Sequence, residues 1–104
     1  MKRYEARTFG MMFVWENGKR RQLEPRLDLR NHSPTGFSWG YLGSGCAQLA
    51  LALLVDVLGD KGRALDLYQR FKERAIATRN QDHPFEMTDA QVLEHVASIE
   101  KDAA

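Results

Sequence analysis

The sequence predicts a small α+β domain in which an antiparallel sheet packs on three α-helices. Residues 1–24 carry β-favouring side chains around an Asn17-Gly18 turn, a strong hairpin signal. Residues 25–45 are dense in turn-forming residues and are predicted to be a long loop. Helical patterns then occupy residues 46–58, 61–79 and 89–101. The 104 residues are enough for one domain with one hydrophobic core, and a second domain is not expected.

The N-terminal region is predicted to form two or three strands. Aromatic and β-favouring side chains fill both arms of the Asn17-Gly18 turn, and Pro25 would end the return strand or confine it to a sheet edge. One face of such a sheet must pack on the helices. We therefore expect the aromatic side chains to lie in the core, namely Tyr4, Phe13 and Trp15.

The three helices carry recognisable start and stop signals. The first is apolar almost all round and is predicted to be the centre of the core, with Ser44 as its N-cap and Gly59 as its stop. Asp60 can cap the second, which is amphipathic and should pack antiparallel to the first. Thr88 and Gln91 have the spacing of a capping box that opens the third.

A glycine-rich loop from Gly40 to Gly45 leads into the first helix. Free amides and the positive end of a helix dipole favour anions, so we consider a loop site for an anionic ligand. Its spacing is neither that of a P-loop nor that of a dinucleotide fingerprint. The alternative is that the glycines only turn the chain and allow close packing. The candidate loop residues are His32, Gly43, Ser44 and Gly45.

Cys46 is the single cysteine, so no internal disulfide can form and a reducing compartment is expected. A nucleophilic group of Cys46, His32 and Asp28 can be drawn, because a helix N-terminus lowers a thiol pKa. The competing interpretation is an ordinary first-turn residue. The three histidines lack ligand spacing, and we predict no metal and no cofactor.

Positive charge is concentrated in the first third of the chain. Residues 1–36 hold eight Lys/Arg against four Asp/Glu, although the net charge is only +1. This region is predicted to present a basic surface for a partner, and the alternative is a basic hairpin whose charges are simply solvated. Nucleic acid would suit such a surface, but the pI near 7.9 and the expected burial of the aromatics favour a protein partner. The candidate contact residues are Lys19, Arg20, Arg21, Arg26 and Arg30.

Neither export nor membrane insertion is expected. The basic N-terminus has no apolar segment after it, and the longest apolar run is far shorter than the ~20 residues of a membrane span. We predict a cytoplasmic protein without membrane partners.

Residues 31–52, read as NHSPTGFSWGYLGSGCAQLALA, resemble a family of small uncharacterised proteins from bacterial, phage and mobile-element genomes. The likeness extends over residues 26–72. Proteins of that family commonly have proline where this chain has Cys46, which implies a first-turn role for this position. The resemblance brings no activity and no catalytic residues.

The resemblance and the basic surface together predict a non-enzymatic binding protein. Its concrete form would be a phage or mobile-element inhibitor of a host defence system, such as an anti-CRISPR, with a larger host protein or complex as its partner. One alternative is a ligand-binding or nucleotide-binding module, or a small enzyme, that uses the Gly40 to Gly45 loop. Another is a nucleic-acid-binding protein that uses the basic hairpin.

Overall fold

A computed structural model describes residues 1–103 of the chain. It contains four strands, three α-helices and one π-helical turn that directly follows the second helix. In chain order these are β1 (Lys2–Ala6), β2 (Phe13–Glu16), β3 (Lys19–Gln22), α1 (Ser44–Leu58), α2 (Lys61–Phe71), the π turn (Lys72–Ile76), β4 (Phe85–Thr88) and α3 (Asp89–Ala103).

The strands form one antiparallel sheet in the order β3-β2-β1-β4. Asn17 and Gly18 both adopt positive φ, 53° and 74°, as a two-residue hairpin turn of this kind requires. The turn pairs Glu16 with Lys19 and so fixes the register of β2 against β3. The predicted α+β class and the predicted hairpin are confirmed.

The fourth strand was not predicted from the sequence. Phe85 and Met87 are buried, whereas Glu86 between them is exposed, which is the alternation of a half-buried strand. This strand pairs with β1, which is distant in sequence. The strand has only four residues and lies between a turn and the start of a helix, so its alternation is too short to predict a strand.

Helix α1 is the centre of the core, as predicted. Every residue from Gly45 to Leu54 is buried, and Gly59 ends the helix in the left-handed conformation. The predicted cap was wrong: Gly43 occupies the cap position, and the exposed Ser44 is already helical. No side chain caps this end, and the helix begins at Ser44, two residues before the predicted start at residue 46.

The other two predicted helix starts are confirmed. The Asp60 carboxylate accepts the Arg63 amide at 3.1 Å, and Thr88 and Gln91 exchange the two bonds of a capping box. The second helix does not continue to residue 79. It widens into the π turn, in which the Ala77 amide donates to the carbonyl five residues before it.

His95 on α3 makes stability dependent on pH. Burial, followed by the nearby Arg79 charge, lowers the pKa of His95 from its usual 6.5, so the folded state disfavours the protonated ring. The unfolded chain then binds more protons, and stability falls as the pH drops through 6.5. We expect His95→Gln to flatten urea-unfolding free energies in this window. An unchanged slope in the variant would contradict this origin.

Candidate functional site

The sheet has one surface packed on the helices and one directed away from them. Strand alternation and register place Tyr4, Val14 and Met87 on the packed side, where all three are buried. Their neighbours in sequence point to the opposite side. We call this side the outer face; its residues are Arg3, Glu5, Phe13, Trp15, Arg20, Gln22, Glu86 and Thr88.

Two aromatic side chains lie side by side on the outer face. Phe13 and Trp15 belong to β2, an inner strand, and both are partly exposed. The expectation that they lie in the core was therefore wrong, although the same expectation holds for Tyr4. The segment is apolar at odd and even positions alike, so its sequence did not reveal which residues face the helices.

Two guanidinium groups lie close to the two aromatic rings. The Arg20 guanidinium carbon lies 4.5 Å from the centroid of Phe13 and 5.9 Å from that of Trp15. The Arg3 guanidinium lies 5.9 Å from Trp15 on the neighbouring strand. Both are within the ~6 Å range of cation–π attraction. The outer face thus presents aromatic rings and planar cations in alternation.

Glu5 contacts both Trp15 and Arg3 on the outer face. Its carboxylate accepts the Trp15 indole N–H at 2.5 Å and lies 3.4 Å from the Arg3 guanidinium. These contacts fix the indole orientation and offset the negative charge of Glu5. The carboxylate directly opposite in the register, that of Glu86, is exposed and forms no salt bridge within residues 1–103.

A groove of about 820 Å³ adjoins the outer face and shares Glu5, Phe13, Arg20 and Glu86 with it. The loop after β1 forms its apolar rim, where the side chains of Phe9 and Met11 are 45% and 56% exposed. Apolar groups this accessible are common at interaction sites when they adjoin one another. The exposed Arg7 also lines the groove.

The five predicted basic residues lie on different faces of the protein and have different contacts. Arg20 is on the outer face, whereas Lys19 and Arg21 point to the other side of the exposed edge strand β3. Arg26 forms two bonds of 3.0 Å to Asp28. Arg30 is exposed and donates to a carbonyl of its own loop. They do not share one face, and only Arg20 joins the aromatic side chains.

Asp56 near the end of α1 neutralises part of this charge. Its carboxylate receives Arg21 at 2.9 Å, Lys2 at 3.5 Å and the Tyr4 hydroxyl at 2.6 Å. Burial, together with the bond to Asp56, raises the pKa of Tyr4 far above its usual value. The cluster joins the sheet to α1. Within this cluster, the Arg21 guanidinium is paired with a carboxylate of the protein itself.

The glycine-rich loop is packed against its own surroundings. A Cβ on Gly43 would lie 2.2 Å from the Tyr41 ring, and one on Gly45 would lie 2.3 Å from the Ser38 hydroxyl oxygen. The Gly40 amide donates to a carbonyl of the π turn. These contacts explain the glycines by close packing.

His32 does not join Gly43, Ser44 and Gly45 through any hydrogen bond in the described chain. Its ring Nε2 lies 2.8 Å from the Tyr68 hydroxyl on α2. The expected loop site groups this side chain with the three loop residues instead. The difference arises because α2 packs against the loop, a contact between residues 36 positions apart.

Gln48 is the residue that holds the long loop, and it is not among the site residues predicted from the sequence. It is fully buried in α1. Its carbonyl accepts the amides of His32 and Ser33, and its amide group donates to the carbonyls of Pro25 and Arg30. One side chain thus supplies four hydrogen bonds to backbone between residues 25 and 33. A glutamine within an otherwise apolar helix was the available signal.

Cys46 is fully buried, and its sulfur lies 3.5 Å from the Ser38 hydroxyl. The structure shows no bond between it and His32, whose ring contacts Tyr68. We expect the folded protein to resist Ellman's reagent and to react at this one thiol after unfolding in urea, because a buried thiol is inaccessible. Labelling of the folded protein as fast as the unfolded chain would contradict the packing.

No group of three or more His, Cys, Asp or Glu side chains within residues 1–103 is arranged to hold a metal ion. In the same range, no helix has the length and apolar character needed to cross a membrane.

Comparison with known proteins places the chain in a family. The model of a family of unknown function, DUF6166, matches residues 4–98. The chain belongs to DUF6166. Apart from Arg3, the match spans the outer face, the groove and the loop held by Gln48, so these features lie within the part shared with DUF6166. No curated protein and no solved structure matches the chain.

Proposed function

We propose that this protein is a non-enzymatic binding protein and that the outer face with its adjoining groove is the contact surface. The observation that carries the proposal is the pair of partly exposed aromatic rings, Phe13 and Trp15, stacked with Arg3 and Arg20. An inner strand of a sheet is where a protein usually buries its aromatic side chains. Here the rings remain accessible on the side away from the helices.

The composition of this surface supports the proposal. Aromatic residues, methionine and arginine are enriched at contact surfaces. Tryptophan and arginine are also frequent among the few residues that carry most of the binding energy. The exposed Met11 and Phe9 extend the surface along the groove. The Glu5 bonds to Trp15 and Arg3 hold the central side chains in place before a partner arrives. Such preorganisation lowers the entropy that binding costs.

The biological setting that we propose is inhibition of a host defence system, such as an anti-CRISPR activity of a phage or mobile element. This setting is supported by the resemblance of residues 31–52 to proteins of such genomes. The partner would be a larger host protein or complex. RNA-guided defence complexes also expose single-stranded nucleic acid, so the contact surface need not face protein alone.

A paired capture experiment tests the contact surface. Wild-type protein, the double variant Phe13→Ala with Trp15→Ala, and a control with Gln69→Ala and Glu73→Ala on exposed positions of α2 and the π turn are used as baits in host lysate. We expect wild type and control to retain the same protein or nucleic acid and the outer-face variant to lose it. Circular dichroism verifies that all three baits are folded.

Equal retention by the wild type and the folded outer-face variant would contradict the proposal. Loss of the partner in the Gln69 and Glu73 control alone would also contradict it, because the contact would then lie on the helices.

A further inference from the structure

We infer that the outer face binds single-stranded nucleic acid, with bases stacked on Phe13 and Trp15 and phosphates held by Arg3, Arg7 and Arg20. This inference rests on the proposed contact surface and names its occupant. It also revises the preference for a protein partner, which depended on placing these aromatics in the core.

The spacing of the rings suits successive bases. Phe13 and Trp15 are two residues apart on one side of a strand, so they lie roughly 7 Å apart, twice the ~3.4 Å between stacked nucleotides. Bases of an extended, unstacked strand can therefore meet one ring each. Stacking of this kind accepts every base, because every base has a π-face.

The Phe13 ring already stacks against a planar group. The Arg20 guanidinium carbon lies over this ring, 4.5 Å from its centroid. A flat cation in this position shows that a planar group fits there. A base takes the place of the Arg20 guanidinium on this ring, and Arg20 then turns to a phosphate.

The charges on and beside the outer face favour an anionic strand. Arg7 and Arg20 form no salt bridge within the described residues, and Arg3 shares Glu5 with the Trp15 indole. Of the two outer-face carboxylates, Glu5 and Glu86, the one without a salt bridge in the described residues is Glu86. Three phosphate contacts on a single strand predict a slope of about −2 for log affinity against log salt concentration.

Fluorescence anisotropy with labelled short oligothymidylate and oligouridylate tests the inference. We expect binding at low salt, with little binding to a duplex of the same length, since paired bases cannot reach the rings. Trp15→Ala should weaken binding about tenfold through the lost stacking. Arg20→Glu, on an exposed strand position, should weaken it further without disturbing the core.

Glu86→Gln is a variant that should change the affinity for oligonucleotides in the opposite direction. Removal of this exposed charge should strengthen oligonucleotide binding severalfold, which a general loss of folding cannot produce. Gln69→Ala should bind as the wild type does.

Absent binding by the folded protein, or binding that ignores Trp15, Arg20 and Glu86, would overturn the inference. If oligonucleotides fail while capture isolates a protein that depends on the outer face, the occupant is a protein and the proposed contact surface stands. If capture is also indifferent to the outer face, both proposals are wrong.

Discussion

Replacing Gln48 with leucine is expected to lower the free energy of unfolding by about 3–4 kcal/mol, at about 1 kcal/mol for each of its hydrogen bonds. Leucine fills a similar volume in the apolar interior of α1. It cannot replace either the acceptor or the donors of the amide. Two backbone amides and two carbonyls of the loop between residues 25 and 33 would then lose their partner, and the loop should detach from α1.

Urea unfolding measures this loss of stability. Two further variants separate the effect of the hydrogen bonds from that of a glutamine-to-leucine change in general. Gln69→Leu, at an exposed position of α2, should change stability by less than about 0.5 kcal/mol. Gln48→Glu keeps the acceptor for His32 and Ser33 but places carboxylate oxygen against two carbonyls, so it should also destabilise. A Gln48→Leu protein within about 1 kcal/mol of the wild type would show that Gln48 does not hold the loop.

Gly45→Ala is expected to destabilise the protein by about 2 kcal/mol, although alanine normally favours a helix. The new methyl group would lie 2.3 Å from the Ser38 hydroxyl oxygen and 3.2 Å from the Ser38 amide nitrogen. Either α1 or the segment before it must move. Because Ser38 is buried beside the core, this movement would disturb packing around Trp39 as well.

Gly62→Ala is the matched control on α2. The nearest atom to its added Cβ is an Asp60 carboxylate oxygen at 3.6 Å, so alanine should stabilise the protein by about 0.5–1 kcal/mol. Thermal or urea unfolding of both variants gives the comparison. Ser38→Ala combined with Gly45→Ala should recover part of the loss, because it removes the closest contact. A Gly45→Ala protein as stable as Gly62→Ala would refute the packing explanation of the glycine-rich loop.

Local signals predicted much of the fold. The Asn17-Gly18 turn, the Asp60 cap and the Thr88 capping box involve neighbours in sequence, and all are present. The start of α1 was misplaced because Ser44 is a good capping residue, yet its side chain makes no cap bond. Strand β4 was not predicted because its pairing partner, β1, lies at the other end of the chain.

The candidate site was less accessible to sequence reasoning. The hairpin turn alone sets Trp15 opposite Arg20, so the stacked pair could have been derived from register. Which face of the sheet packs on the helices could not be derived in this way, since Met12, Phe13, Val14 and Trp15 are all apolar. The loop partners of Gln48 lie 15 to 23 residues away in sequence, and no local pattern joins them.

The tryptophan indole signals in a ¹⁵N–¹H NMR spectrum test the central claim most directly. The chain has two tryptophans, of which Trp15 lies on the outer face and Trp39 is buried with its indole bonded to the His83 carbonyl. On addition of oligothymidylate, we expect the Trp15 indole signal to shift or broaden while that of Trp39 stays in place. Binding that leaves the Trp15 signal unmoved, or no response of either signal, would contradict the outer face as a surface that binds nucleic acid.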